Sequence, residues 1–309
     1  MKRKGFTLTE LLVVMAIIAM LIGILVPALV KSRVIAKNLQ QKAQLRAIGL
    51  GVEQFSIENN NFYPNSSVMN YNTTDEVYGA HRLVTALMGR DLYGYAKDGN
   101  ETPKKLYSAK FKEEDRDFYL DRDKYIFANP KQIYSQGTRV PDLAGDDFQT
   151  DIKEYYPVIS DVFTQKNILV KNLNYETKKW EDEKIAFGTP ILYWKANLNS
   201  EYLDPNHMDT SASFNPDWTQ YRNWIYNIDD NYGFLKIASV KSYGESVEKF
   251  HKYKYDIDTL TATGRENFYT DITNFKLRTH LAPQNKDSFI LMSAGADGIF
   301  GTADDIRNF

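Results

Sequence analysis

The sequence predicts an α+β protein, one long N-terminal helix, partly membrane-spanning, followed by a globular domain that contains β-structure. Three observations carry that prediction. Leu11 to Val30 is an unbroken run of uncharged, mostly large apolar residues, the ~20 positions a helix needs to cross a bilayer. Apolar residues then recur near helical spacing to about Asn59. From Tyr155 to Met292, short apolar and aromatic runs alternate with turn residues in the manner of strands.

The chain opens Met-Lys-Arg-Lys-Gly-Phe-Thr-Leu-Thr-Glu. Lys2, Arg3 and Lys4 favour a cytoplasmic N-terminus. Lys31, Arg33 and Lys37 on the far side weaken that asymmetry, so charge alone leaves orientation open. The apolar run exceeds the ~7–15 residues of a cleaved secretory segment, and no small-residue cleavage site follows it. Glu10 stands at its edge. An ionised carboxylate inside a membrane costs about 3 kcal/mol even on lenient scales, so it calls for a cationic partner unless it rests among the headgroups. Pro27, one turn after Gly23, removes a backbone hydrogen bond and predicts a kink or local melting of the helix. An ordinary transmembrane proline is the plainer alternative.

Beyond the membrane, Ile35, Leu39, Leu45, Ile48, Val52 and Phe55 form a stripe that must bury against something, the following domain being the first candidate. Asn59-Asn60-Asn61 and Pro64 end the helix. From Phe6 to Asn59 it would be about 80 Å long at 1.5 Å per residue.

In the body, Ser66 to Asp75 reads as a polar loop and His81 to Leu92 as a short helix. Lys110 to Tyr125 is densely charged; Asp117, Asp121 and Asp123 lack the glycine and terminal acid of an EF-hand and read as a solvated face. Strand signals occupy Tyr155–Phe163 and Ile168–Val170. Phe187-Gly188-Thr189-Pro190 reads as a turn leading into the strand Ile191–Trp194, and Ser288–Met292 is a further strand. Asn197–Trp218 is turn-rich, and residues 220–285 carry no legible period. His81, His207, His251 and His280 have no metal-ligand spacing and read as structural or surface residues.

The last segment, Ser293 to Ile306, holds Gly295, Gly298 and Gly301, which permit left-handed turns. Such turns would gather Asp297 and Asp305 around one point, a hard-oxygen arrangement suited to calcium with backbone carbonyls completing it. The alternative is an Asp/Gly turn without an ion.

Composition excludes several classes. The chain has no cysteine, so disulfides, thiolate metal sites and cysteine nucleophiles are ruled out. Its 38 basic and 40 acidic residues nearly balance, which argues against a nucleic-acid partner. No nucleophile–base pair, phosphate loop or metal-hydrolase motif appears, so an enzyme is not expected. The 21 tyrosines suit either sheet packing or protein and glycan contacts.

Gly5-Phe6-Thr7-Leu8-Thr9-Glu10-Leu11-Leu12 resembles the processing and methylation site of type IV prepilins and type II secretion pseudopilins. The resemblance implies cleavage after Gly5 by a prepilin peptidase and N-methylation of Phe6. It also implies a single-pass inner-membrane protein with its C-terminal domain in the periplasm. The new α-amino group of Phe6 would supply the cation that Glu10 needs, in contact with a neighbouring subunit's Glu10, and so set filament register. The Gly-Thr-Pro turn and following Tyr-containing strand are similar to those of pseudopilins, with Phe187 where tryptophan is usual. The Gly-Ala-Asp-Gly loop resembles the calcium loop of major pseudopilins. Carried over by position, Asp297 and Asp305 become side-chain ligands, Ala294 and Thr302 backbone ligands, and Asp304 an additional one.

The expected fold is therefore type IV pilin-like, the helix packing on an antiparallel sheet. The expected divisions are a leader at 1–5, a transmembrane half-helix at 6–30, an outer half-helix at 31–60 and a periplasmic domain at 61–309 with the loop at 293–306. The expected function is that of a pseudopilin: helix-driven assembly with other pseudopilins into a secretion pseudopilus, in contact with membrane lipid and an inner-membrane assembly platform. A type IV pilin for adhesion, motility or DNA uptake, and a prepilin-processed anchor for a ligand- or glycan-binding domain, are the alternatives.

Overall fold

Helix α1 (Leu8–Glu58) runs 51 residues, about 76 Å at 1.5 Å per residue. The computed structural model describes residues 8–70, 75–89, 92, 94–96, 116–134, 142–143, 156–174, 179–200, 225–254, 263–276 and 282–309. The chain forms two compact units, residues 1–40 and 41–309, so the division falls inside α1. In the first unit α1 is long and apolar enough to cross a membrane, and none of the apolar span is buried among the described residues. Ile35 and Leu39 are exposed as well, and the helix stripe that packs begins only at Gln41.

Within the second unit Leu45, Ile48 and Val52 are buried. Helix α2 (Gly79–Met88) joins them through Leu83, Val84 and Leu87. It starts two residues before the expected boundary because His81 Nδ1 accepts the Tyr78 N–H at 3.0 Å, filling the role of the third residue in a capping box. It stops at Met88 because Gly89 takes φ 71° and Leu92 φ 64°, both incompatible with a continuing helix. Helix α3 (Thr263–Ile272) lies in the stretch where the sequence has no legible period.

The described strands are β1 (Met69–Asn70), β2 (Asp75–Val77), β3 (Tyr95–Ala96), β4 (Arg116–Asp117), β5 (Phe127–Ala128), β6 (Asp142–Leu143), β7 (Val158–Ile159), β8 (Lys166–Asn174), β9 (Lys179–Phe187), β10 (Leu192–Lys195), β11 (Phe289–Ser293) and β12 (Ile306–Arg307). Pairing is antiparallel except between β2 and β6. β1 and β2 occupy part of the segment expected to be a loop.

The sheet β10-β11-β12 organises the core, because both faces are covered. Tyr193, Phe289 and Leu291 face the layer holding Leu45, Ile48 and α2. Leu192, Trp194, Ile290 and Met292 face a second layer with Phe187, Phe234 and Phe268. Alternation by two along each strand produces this split, and burial on both faces explains why the strands read as continuous apolar runs. Tyr78, Tyr134, Tyr193, Tyr226 and Tyr253 are fully buried, so much of the tyrosine content is packing.

The hairpin β8–β9 keeps unbroken register from Lys166↔Phe187 to Asn174↔Lys179. Its second strand is unexpected, since Glu181-Asp182-Glu183-Lys184 is exposed and carries no apolar alternation. The strand expected over Tyr155–Phe163 shrinks to two residues. Asp161 Oδ1 accepts the Phe163 N–H at 3.1 Å, a side-chain turn that ends extended structure. Tyr155 lies outside the described residues.

Candidate functional site

Glu10 occupies the first turn of α1, where the positive end of the helix dipole favours a carboxylate. Leu11, Leu12, Val13 and Val14 around it are all exposed. Gly5 and Phe6, the residues expected to carry cleavage and methylation, lie outside the described residues. Pro27 sits inside α1, and the helix is continuous through it rather than melted.

The C-terminal loop folds back on itself as its glycines predict. Gly295, Gly298 and Gly301 all take positive φ. A Cβ on Gly295 would stand 2.2 Å from the Asp304 carbonyl oxygen, so only glycine fits. The backbone N–H of Asp297 donates to Asp304 Oδ2 at 3.0 Å, and Asp297 Oδ1 accepts the Ile299 N–H at 2.8 Å. Thr302 Oγ1 lies within hydrogen-bond reach of the Ile299 carbonyl and of Asp304 Oδ1. Asp305 turns elsewhere: its Oδ2 accepts from Gly301 N–H at 2.8 Å and faces the Arg307 guanidinium at 3.3 Å. The pairing the loop produces is thus Asp297 with Asp304.

Two features of this loop suit a bound cation. Partial burial and then the charge of Asp304 raise the Asp297 carboxyl above its usual range. Burial pushes the Asp305 carboxyl up to about 7, and its Oδ1 is buried with no hydrogen-bond partner among the described residues. Among the described residues, no three His, Cys, Asp or Glu side chains gather into one cluster, so any ion here would rely on backbone oxygens. Ala294 is buried at the start of the loop. Phe300 anchors the tip: its N–H donates to His251 Nδ1 at 3.0 Å, and its carbonyl accepts from Lys252 N–H at 2.8 Å. His81 and His251 are both buried and held near pKa 3 by that burial; His207 and His280 lie outside the described residues.

A second cluster was not anticipated. Asp161, 3% exposed, accepts from Thr189 N–H at 3.0 Å through Oδ1 and from Ser293 Oγ at 2.9 Å through Oδ2. Ser160 Oγ accepts the Gly188 N–H at 2.7 Å. From α1, Gln41 Oε1 accepts the Val162 N–H at 2.8 Å, and Gln44 Nε2 donates to the Ser160 carbonyl at 3.0 Å. One polar hub therefore ties the outer helix, the turn after β9 and the end of β11. Its signal in the sequence was Gln41, a polar residue where the helical stripe points into the core.

Three comparisons bear on this architecture. Residues 1–26 match the family model of the prokaryotic N-terminal methylation motif. Over 66 residues the chain is 39% identical to the type IV wide pilus major component PilA4 of Thermus thermophilus, covering 21% of this chain and 50% of that protein. The chain thus spans half the length of the curated relative it matches. No solved structure matches.

Proposed function

We propose that this chain is a prepilin-class structural subunit that assembles through α1 into a filament, as a pseudopilin of a type II secretion system. The observation that carries this reading is an apolar helix surface left uncovered from Leu11 to Val30, joined to a methylation motif at its start. Such a surface needs either lipid or other helices, and filament assembly exchanges the first for the second. In this reading a prepilin peptidase cuts after Gly5, Phe6 is methylated, and its α-amine meets Glu10 of a neighbouring subunit. The body then stands on the periplasmic side of the inner membrane, and the assembly platform draws subunits from the bilayer. The role is mechanical rather than catalytic.

The loop at 293–306 favours the secretion reading. Two adjoining carboxylates, Asp297 and Asp304, with the carbonyls of a tight glycine-rich loop around them, are the hard-oxygen set that calcium takes. Asp297 and Asp304 would hold the ion with backbone oxygens near Ala294 and Thr302, while Asp305, expected as a ligand, is turned to Gly301 and Arg307 instead; calcium would supply a cross-link that closes the C-terminus. A type IV pilin is the second reading, favoured by the match to a wide-pilus component.

Deleting the gene separates the two. Accumulation of exported proteins in the periplasm with surface pili intact supports the pseudopilin; loss of surface pili with normal secretion supports the pilin. The shared premise is tested by Gly5→Val, whose product should keep residues 1–5 by mass spectrometry. Normal removal of those residues would overturn the prepilin assignment itself.

A further inference from the structure

An open cleft of about 870 Å³ lies where the chain leaves α1 and passes the end of β10, within the ~300–1,000 Å³ of small-ligand sites. Phe62 lines it with 67% of its surface exposed. A large flat apolar face left beside a cleft is costly in water and is a ready stacking platform. Tyr63 next to it is fixed by hydrogen bonding to Glu53 at 3.1 Å, and the Lys195 ammonium stands 5.9 Å from the Phe62 ring centre.

The polar wall is made of amides. Asn61, Asn65, Asn197, Asn199 and Asn227 all line the cleft. In three of them the amide oxygen is already committed: Asn65 Oδ1 accepts from Ser67 N–H at 3.0 Å, Asn197 Oδ1 from Asn199 N–H at 3.2 Å, and Asn227 Oδ1 from Asp229 N–H at 3.0 Å. Each is thereby held with its amine end unspent, and no acceptor among the described residues takes those N–H donors. The carboxylates are satisfied internally. Asp229 is paired with Arg265 at 3.3 Å, and Asp230 accepts from the Ser66 hydroxyl.

We propose that this cleft binds a neutral sugar ring, its C–H face stacked on Phe62 and its hydroxyl or acetamido oxygens accepting from the asparagine amines. A sugar presents one apolar face and a rim of neutral oxygens, and the cleft offers one aromatic face and a rim of neutral donors. Charged ligands fit less well. The acids already have partners, and Lys195 is the one cation among the described residues that lines the cleft. The inference is independent of the filament reading.

The test uses the full chain in a detergent without a sugar headgroup, since an alkyl glycoside would itself compete. Saturation-transfer NMR is run against neutral oligomers of glucose, galactose, mannose and N-acetylglucosamine, with sialylated and sulfated oligosaccharides in parallel. At least one neutral oligomer should bind, Phe62→Ala should weaken it tenfold or more at unchanged melting temperature, and Phe62→Trp should retain it. Should Phe62→Ala perturb folding, Asn199→Ala removes an exposed amide and should weaken binding at least threefold. Absence of neutral-sugar binding at millimolar concentration, binding of anionic oligosaccharides alone, or binding indifferent to both variants overturns the proposal.

Discussion

Adding one methyl group at Gly188 should come close to unfolding the body. The Cβ of Gly188→Ala would stand 2.0 Å from Asp161 Oδ1, 2.6 Å from the Phe163 carbonyl oxygen and 2.8 Å from the Asp161 carbonyl oxygen. Two of these are backbone atoms that cannot rotate away. Relief requires the Asp161 carboxylate to leave its place, which forfeits the N–H donors of Phe163 and Thr189. Hydrogen bonds to a charged group are worth about 1.5–3 kcal/mol each, and overpacking adds about 1–3 kcal/mol. The sum is roughly 4–9 kcal/mol, against about 5–15 kcal/mol for a whole domain. At about 2–4 °C per kcal/mol for a body of this size, melting should fall by roughly 8–36 °C. Near-UV circular dichroism of the full chain in micelles is the suitable readout, because Trp194 and the buried tyrosines report the body while α1 stays helical. Gly49→Ala is the control. Its Cβ meets only Phe289 at 3.7 Å and beyond, and alanine in a helix is favoured by about 1 kcal/mol over glycine, so melting should hold or rise slightly. Melting of Gly188→Ala within about 3 °C of the wild type would refute the reading of the Asp161 hub.

Three further outcomes are expected. Glu10→Ala should still be processed but fail to enter filaments, and normal co-assembly in cross-linking would sink the register argument. Chelating calcium should lower the melting temperature of the full chain; at a free concentration of 100 Kd the ion contributes about 2.7 kcal/mol, and an unchanged midpoint on chelation would mean the loop is only a turn. Asp230 is buried beside Asp229 and Arg82, its carboxyl pushed up to about 7 chiefly by burial. A carboxyl raised in the folded state adds stability below its unfolded pKa of about 3.9 and loses it as pH rises through 7. Asp230→Asn should therefore raise melting more at pH 8 than at pH 4, and an equal effect at both would remove that account.

What the sequence made legible follows the strength of its periodic signals. The span Leu11–Val30, the helix end near Asn59, the apolar strands of β10 and β11 and the positive-φ glycines of the last loop are all local patterns, and each stands where it was expected. Of the helical stripe, Leu45, Ile48 and Val52 are buried and Ile35 and Leu39 are exposed; spacing reports which face is apolar but not what covers it. β9 escaped notice because Glu181–Lys184 owes its extended form to pairing with β8 rather than to its own alternation. The Asp161 hub was invisible for a related reason. Its members Gln41, Ser160, Gly188 and Ser293 are separated by up to 252 positions, and the one local sign, polar Gln41 on an apolar stripe, does not say what it would bond.

Without cysteines, the C-terminus has to be held by many weak bonds placed close together, and the last four residues show how. Asn308 Oδ1 accepts the Leu291 N–H at 2.9 Å while its own N–H donates to the Leu291 carbonyl at 3.3 Å, extending the pairing of β12 by one residue. Arg307 reaches Asp271 at 2.8 Å on α3, the Tyr253 hydroxyl at 3.0 Å and Asp305 at 3.3 Å. These ion pairs are largely shielded, so they hold at salt concentrations that would screen exposed ones. They also fix Asp305 from one side and leave its second oxygen buried and unmatched. Burying that carboxylate is costly, and the Arg307 guanidinium at 3.3 Å offsets only part of the cost, since the carboxyl stays raised to about 7. Under the calcium proposal an ion would add to an end already held by these bonds, and that difference is what chelation would measure.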